Sequence, residues 1–112
     1  MKETVSGCSI EDAMQLLSGR WRTLLIYYLK DRPKRFSELQ RDNPSISHRM
    51  LTLELRALEQ AGIVSRTVFA EVPPRVEYAL TADGRRLMPL LDALGDWWEA
   101  LSAGQGDRQA AE

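Results

Sequence analysis

Ser47-His-Arg-Met-Leu-Thr-Leu-Glu-Leu-Arg-Ala-Leu-Glu-Gln-Ala-Gly62 is the stretch whose reading settles the architecture. Leu51, Leu55 and Leu58 recur at helical spacing and make one apolar stripe, which leaves the rest of the helix surface for another purpose. Ser47 suits the position before the first turn, where a hydroxyl accepts a backbone N–H, and Gly62 suits the left-handed residue that closes a helix near Ala61. Off the stripe lie Ser47, His48, Arg49, Thr52 and Arg56, with Leu53 between the faces. Arginine grips guanine at two points and threonine or leucine touches a thymine methyl, so this second face has the chemistry of a major-groove reader. The helix N-terminus adds free N–H groups for phosphate. Taken alone, the same side chains also fit an ordinary solvated surface.

Just upstream, Ser37-Glu-Leu-Gln40 has the capping-box form, so a short helix is expected from Phe36 or Ser37 to about Arg41. Asp42-Asn-Pro-Ser45 then reads as a turn. Earlier still, Asp31-Arg-Pro33 stops a helix of about Arg20 to Lys30, in which Trp21, Leu24, Leu25, Tyr28 and Leu29 share a buried stripe. Ser9-Ile-Glu-Asp12 is a further capping box and opens a first short helix carrying Ile10, Met14 and Leu17, interrupted at Ser18-Gly19.

Downstream of Gly62 the period changes to two: Val64, Arg66 and Val68 oppose Ser65, Thr67 and Phe69, while Val76, Tyr78 and Leu80 oppose Glu77 and Ala79. Two strands therefore form a hairpin, joined by the stiff, extended Glu71-Val-Pro-Pro-Arg75. Thr81 begins a last helix with Leu87, Leu90, Leu91, Leu94, Trp97, Trp98 and Leu101 on a broad apolar face. The order is an α+β, mainly helical, winged helix-turn-helix with a two-stranded β-hairpin wing. Residues 1–8 are expected to be a flexible arm, 9–101 the domain, and 102–112 a disordered tail.

The charges follow the same layout. Formal net charge is -1, yet Ser18 to Arg75 holds eleven basic and six acidic residues, a local net of +5, framed by acidic flanks. Arg66 and Arg75 on or near the hairpin would extend the basic face toward the DNA backbone or minor groove, and Lys34, Arg35 and Ser37 at the start of the third helix complete the candidate contacts, with Lys30 and Arg32 nearby.

Composition excludes other classes. In 112 residues there is one cysteine, Cys8, and one histidine, His48, too few for a four-ligand zinc site, and no cofactor is expected. No apolar run approaches the roughly 20 residues that cross a bilayer, so a cytoplasmic protein is expected. Cys8 and His48 fall on different elements, and neither a carboxylate pair in an evident pocket nor a glycine-rich phosphate loop is present, so an enzyme is not expected.

Seven ordered motifs carry a family resemblance: Cys8-Ser-Ile-Glu, Gly19-Arg-Trp-Arg22, Arg35-Phe-Ser-Glu-Leu39, Ile46-Ser-His-Arg-Met-Leu-Thr52, Leu55-Arg-Ala-Leu-Glu59, Gly62-Ile-Val and Val72-Pro-Pro-Arg-Val-Glu-Tyr78. Together they span nearly all of Cys8 to Leu101, and the chain resembles HxlR-type winged helix-turn-helix regulators of the broader MarR-like group. One departure is Ser9, where members often have proline directly after the cysteine. The resemblance implies a homodimeric transcription factor that binds double-stranded DNA at an inverted repeat, with the fourth helix in the major groove and the hairpin as wing. It also implies that the first and last helices build the dimer through Ile10, Met14, Leu90, Leu94, Trp97 and Leu101. Part of that stripe serves equally well as intramolecular core.

Several regulators of this type carry an N-terminal cysteine that senses oxidants or electrophiles, a role the resemblance extends to Cys8. A helix N-terminus favours thiolate, while an inert small residue fits the position as well. Two further readings stay open: a winged-helix module that binds protein, and a regulator controlled by a small molecule held where Trp21, Tyr27 and Tyr28 either line a cavity or fill the core.

Overall fold

The computed structural model describes residues 7–111, with side chains to residue 105. Of the arm expected over 1–8, only Gly7 and Cys8 fall in that range, and Glu112 of the tail lies outside it. Five helices and one hairpin follow in the order α1 (Ser9–Leu16), α2 (Arg22–Tyr28), α3 (Phe36–Asp42), α4 (His48–Gln60), β1 (Val64–Phe69), β2 (Arg75–Leu80) and α5 (Ala82–Ala111).

Two of the expected capping boxes are displaced. Gly7, at φ 74°, turns the chain one residue early, so Cys8 precedes α1 and Ser9 is its first helical residue. Before α3 it is Arg35 that holds an extended backbone; its N–H donates to Glu38 Oε1 at 3.0 Å, and Ser37 falls inside the first turn. That extended stretch is fixed from the other side, because Lys34 and Tyr78 exchange backbone hydrogen bonds of 2.9 and 2.8 Å. The cap of α4 is as read: Ser47 Oγ accepts from the Met50 N–H at 3.0 Å, and Gly62 leaves the helix at φ 80°.

α2 is shorter than Arg20 to Lys30, and its stripe is rotated. Leu25, Ile26 and Leu29 are fully buried, whereas Leu24 is exposed on a second apolar flank with Tyr27. With Leu39 of α3, Ile46 of the turn, and Leu51, Leu55 and Leu58 of α4, they form the core, closed by Ile63, Val64 and Leu80 at the base of the hairpin. Burying each such side chain contributes on the order of 1.5–3 kcal/mol.

The hairpin is antiparallel, with Val64 opposite Leu80 and Phe69 opposite Arg75. Thr81 then caps α5: its Oγ1 accepts from the Gly84 N–H at 3.1 Å, and its own N–H bonds the Ile63 carbonyl at 3.0 Å. α5 continues to Ala111, through the stretch 102–111 for which the polar, small residues predict a disordered tail. Extending an existing helix needs no new nucleus, and Ala103, Gln105, Gln109 and Ala110 are good helix formers.

Candidate nucleic-acid interface

α4 divides its surface as its spacing requires. Leu51, Leu55 and Leu58 point to the core, while Ser47, His48, Arg49, Leu53 and Arg56 are exposed and Thr52 is half-buried. Thr52 Oγ1 donates to the His48 carbonyl at 3.0 Å, which fixes its rotamer. The His48 ring packs on Phe36 of α3 with centroids 4.6 Å apart, tying the first turn of α4 to the helix before it.

Thr52, Arg56 and Glu59 share the flank of α4 that faces the hairpin, and with Arg66 and Tyr78 they line an open polar concavity of about 350 Å³. Arg66 stands exposed on β1 across from Arg56. Thr52, Arg56 and Arg66 are among the residues expected from the sequence; Glu59 and Tyr78 are additions made by the fold. Glu59 was findable, being seven residues after Thr52 and three after Arg56; Tyr78 depends on how the hairpin folds back.

Arg35 and Ser37 are exposed at the start of α3. Two other candidates are placed differently from the expectation. Lys34 is largely covered, with its ammonium 2.6 Å from Asp42 Oδ2, and so fastens α3 internally. Arg75 lies 4.0 Å over the Phe69 ring, is 2.8 Å from Glu71 Oε2 and also pairs with Glu77. The hydrogen bond to Glu71 raises its pKa further, so the charge is permanent but compensated within the wing. Beside α3, Arg32 Nη2 meets Glu38 Oε2 at 2.6 Å, and that bond, followed by the Arg35 N–H, holds the Glu38 carboxyl down to about 2.

Two helices also expose apolar side chains. Ile10 and Met14 on α1 and Leu90, Leu94, Trp97 and Trp98 on α5 are 47–74% exposed, while Leu101 is half-buried. Leu94, Trp97 and Trp98 join Leu24, Tyr27 and Leu91 around an open groove of about 540 Å³ between α2 and α5. Tyr27 alone of the three aromatic residues considered for a cavity lines it, whereas Trp21 and Tyr28 pack against the core.

Cys8 is exposed at the head of α1, and backbone N–H groups of Glu11 and then Ile10 lower its thiol pKa. Among the described residues no group of three or more His, Cys, Asp or Glu is placed to hold a metal, and no helix is long and apolar enough to cross a membrane.

Residues 16–105 match the HxlR-like helix-turn-helix family. The chain is 47% identical over 98 residues to an uncharacterized HTH-type transcriptional regulator of Methanothermobacter thermautotrophicus, covering 88% of this chain and 75% of that one. It is also similar to the solved structure of the redox regulator HypR in its reduced form, with a TM-score of 0.79 and 45% identity over 83% of this chain and 92% of HypR. The reduced form of the transcriptional regulator YodB from B. subtilis gives a TM-score of 0.76 and 42% identity, covering 80% and 89% of the two chains.

Proposed function

Because the chain belongs to the HxlR-like helix-turn-helix family, and is thereby a DNA-binding transcriptional regulator, we propose that it acts in the cytoplasm, without catalysis, as a homodimer on an inverted-repeat operator. The observation that carries this reading is that exposed Arg56 on α4 and exposed Arg66 on the wing line one concavity, with exposed Arg49 two turns earlier on the same helix. Such a surface clasps a duplex from two sides: α4 enters the major groove, and the wing follows the adjacent backbone.

In this reading Arg49, Thr52, Leu53 and Arg56 meet base edges, Ser47, His48, Arg35 and Ser37 meet phosphates, and Arg66 supplies the wing contact. Lys34 and Arg75 shape the surface through their ion pairs. The apolar stripe of α1 and α5, with the groove beside it, is covered by a second copy, which a two-fold operator would match.

Cys8 gives the dimer its chemical input. It is the chain's one cysteine, so a disulfide requires a second molecule, and its position at the head of α1 sets it beside the apolar residues assigned to the partner. Oxidation of two such thiols removes two electrons and two protons and links two copies; a quinone would instead add to the thiolate through a sulfur–carbon bond.

Selection from random duplexes, followed by binding of the enriched sequence before and after diamide, tests the reading. An inverted repeat is expected, with affinity altered by diamide in the wild type and unaltered in Cys8→Ser. Enrichment of no sequence would defeat the DNA reading, and equal diamide responses would remove Cys8 from it.

A further inference from the structure

Arg22 begins α2 but holds two other helices. Its Nη1 donates to the Leu16 carbonyl at the end of α1 at 2.8 Å, and its Nε lies 3.4 and 3.3 Å from the two carboxylate oxygens of Glu54 on α4. Both side chains are largely covered, 24% and 14% exposed. The turn between α1 and α2 closes over the same carboxylate: a Cβ on Gly19 would stand 3.9 Å from Glu54 Oε2.

Glu54 lies three residues after Leu51 and four before Leu58, on the flank of α4 away from Thr52, Arg56 and Glu59. The wing borders one side of the helix, and Arg22 grips the other. Between them the leucine stripe is buried, but apolar packing is non-directional and constrains rotation about the helix axis weakly. A charged hydrogen bond is directional. Turning α4 by about 20° would carry a side-chain tip, some 5–6 Å from the axis, through about 2 Å. That is several times the ~0.5 Å within which a polar contact must be held.

We propose that Arg22 is a positioning residue for DNA readout: by joining the end of α1 to Glu54, it sets the rotation of α4 from the flank opposite the wing. Discrimination between bases then depends on a side chain that touches none of them. The inference rests on α4 being the base-reading helix, and its test is built to separate the two.

The full-length chain carrying Arg22→Met, Arg22→Lys, Glu54→Gln or Arg49→Ala is titrated with a selected duplex and a scrambled one at several salt concentrations, below each variant's unfolding transition. Arg22→Met and Glu54→Gln are each expected to lower the matched-to-scrambled affinity ratio about tenfold, as a displaced base contact does. Arg22→Lys, which keeps the charge, restores part of the ratio. The slope of log affinity against log salt stays unchanged, because Arg22 neutralises no phosphate. Should Arg22→Met fail to fold, the near-isosteric Glu54→Gln carries the measurement. An unchanged ratio in the Arg22 and Glu54 variants, with Arg49→Ala lowering it, overturns the proposal. A slope reduced by about one charge in Arg22→Met also overturns it, since Arg22 would then be a phosphate contact. An unchanged ratio in Arg49→Ala removes α4 as the reader, and the proposal with it.

Discussion

Gly84 and Ile63 meet so closely that a Cβ at position 84 would stand 2.3 Å from the Ile63 carbonyl oxygen. That oxygen also receives the Thr81 N–H, so the first turn of α5 is seated directly on the joint between α4 and β1. Gly84→Ala must push the helix off this joint, because the obstructing atom is backbone and has no rotamer to change. A loss of about 1–3 kcal/mol is expected from the overpacking. Urea unfolding checks it; a variant as stable as the wild type would mean that the α5 seat is loose. Thr81→Ala, which removes the cap together with the hydroxyl's bonds to the Gly62 and Ile63 carbonyls, should cost about 1–2 kcal/mol.

Three arginines of the candidate interface should behave differently. Arg49 is exposed on α4 and pairs with no side chain among the ion pairs of the described residues, so Arg49→Ala is expected to weaken specific binding by ~1–3 kcal/mol while scrambled DNA changes little. Arg66→Ala should weaken both duplexes evenly and lower the salt slope by about one phosphate. Arg75→Ala should act chiefly on the wing itself, since Glu71 and Glu77 would be left as uncompensated carboxylates. Titration of matched and scrambled duplexes separates the three, and an Arg75→Ala effect confined to the matched duplex would reassign that residue to base reading.

The elements legible in the sequence are those set by neighbours along the chain. Leu51, Leu55 and Leu58 announce their face by spacing alone, Ser47 and Gly62 mark both ends of α4, and the switch to alternation after Gly62 yields the strands. The positions misread are those decided across space. Arg75 looks like a free charge at the tip until the hairpin brings Glu77 and Phe69 against it. Lys34 looks equally free until α3 presents Asp42. Leu24 matches the α2 stripe by period, yet the core takes Ile26 instead, since Leu25, Ile26 and Leu29 form an equally regular row. Nothing local to Arg22 or Glu54 signals that they meet, thirty-two positions apart.

Acid should reach the α3 region through Glu38. Its folded-state pKa, about 2, lies below the ordinary value of 4.5, so protons bind the unfolded chain more readily. The associated stability is therefore complete above about pH 4.5 and is lost as pH falls toward 2. Arg32 supplies the first of the two causes, the backbone N–H of Arg35 the second. Unfolding free energies measured at about pH 5, 4 and 3 should accordingly fall less steeply in Arg32→Ala than in the wild type. Parallel curves would mean that the Arg32–Glu38 contact is not kept in solution.

The apolar residues of α5 give the proposed dimer its sharpest test, because two-fold symmetry would make every substitution among them count twice. Leu94 borders the groove next to Trp97 and Trp98 and is 47% exposed. Leu94→Glu would place a carboxylate from each copy in the proposed apolar seam, where charge is costly to desolvate. Analytical ultracentrifugation should show wild-type dimers and Leu94→Glu monomers, with the preference for an inverted repeat over a half-site lost together with the dimer. Leu53→Glu is the matching control: Leu53 is equally exposed at 47%, but it sits on α4, away from the stripe, and should leave the oligomeric state untouched while weakening DNA binding. If Leu94→Glu and Trp97→Glu both remain dimeric, the partner does not lie on α5, and the operator symmetry has to come from another face of the protein.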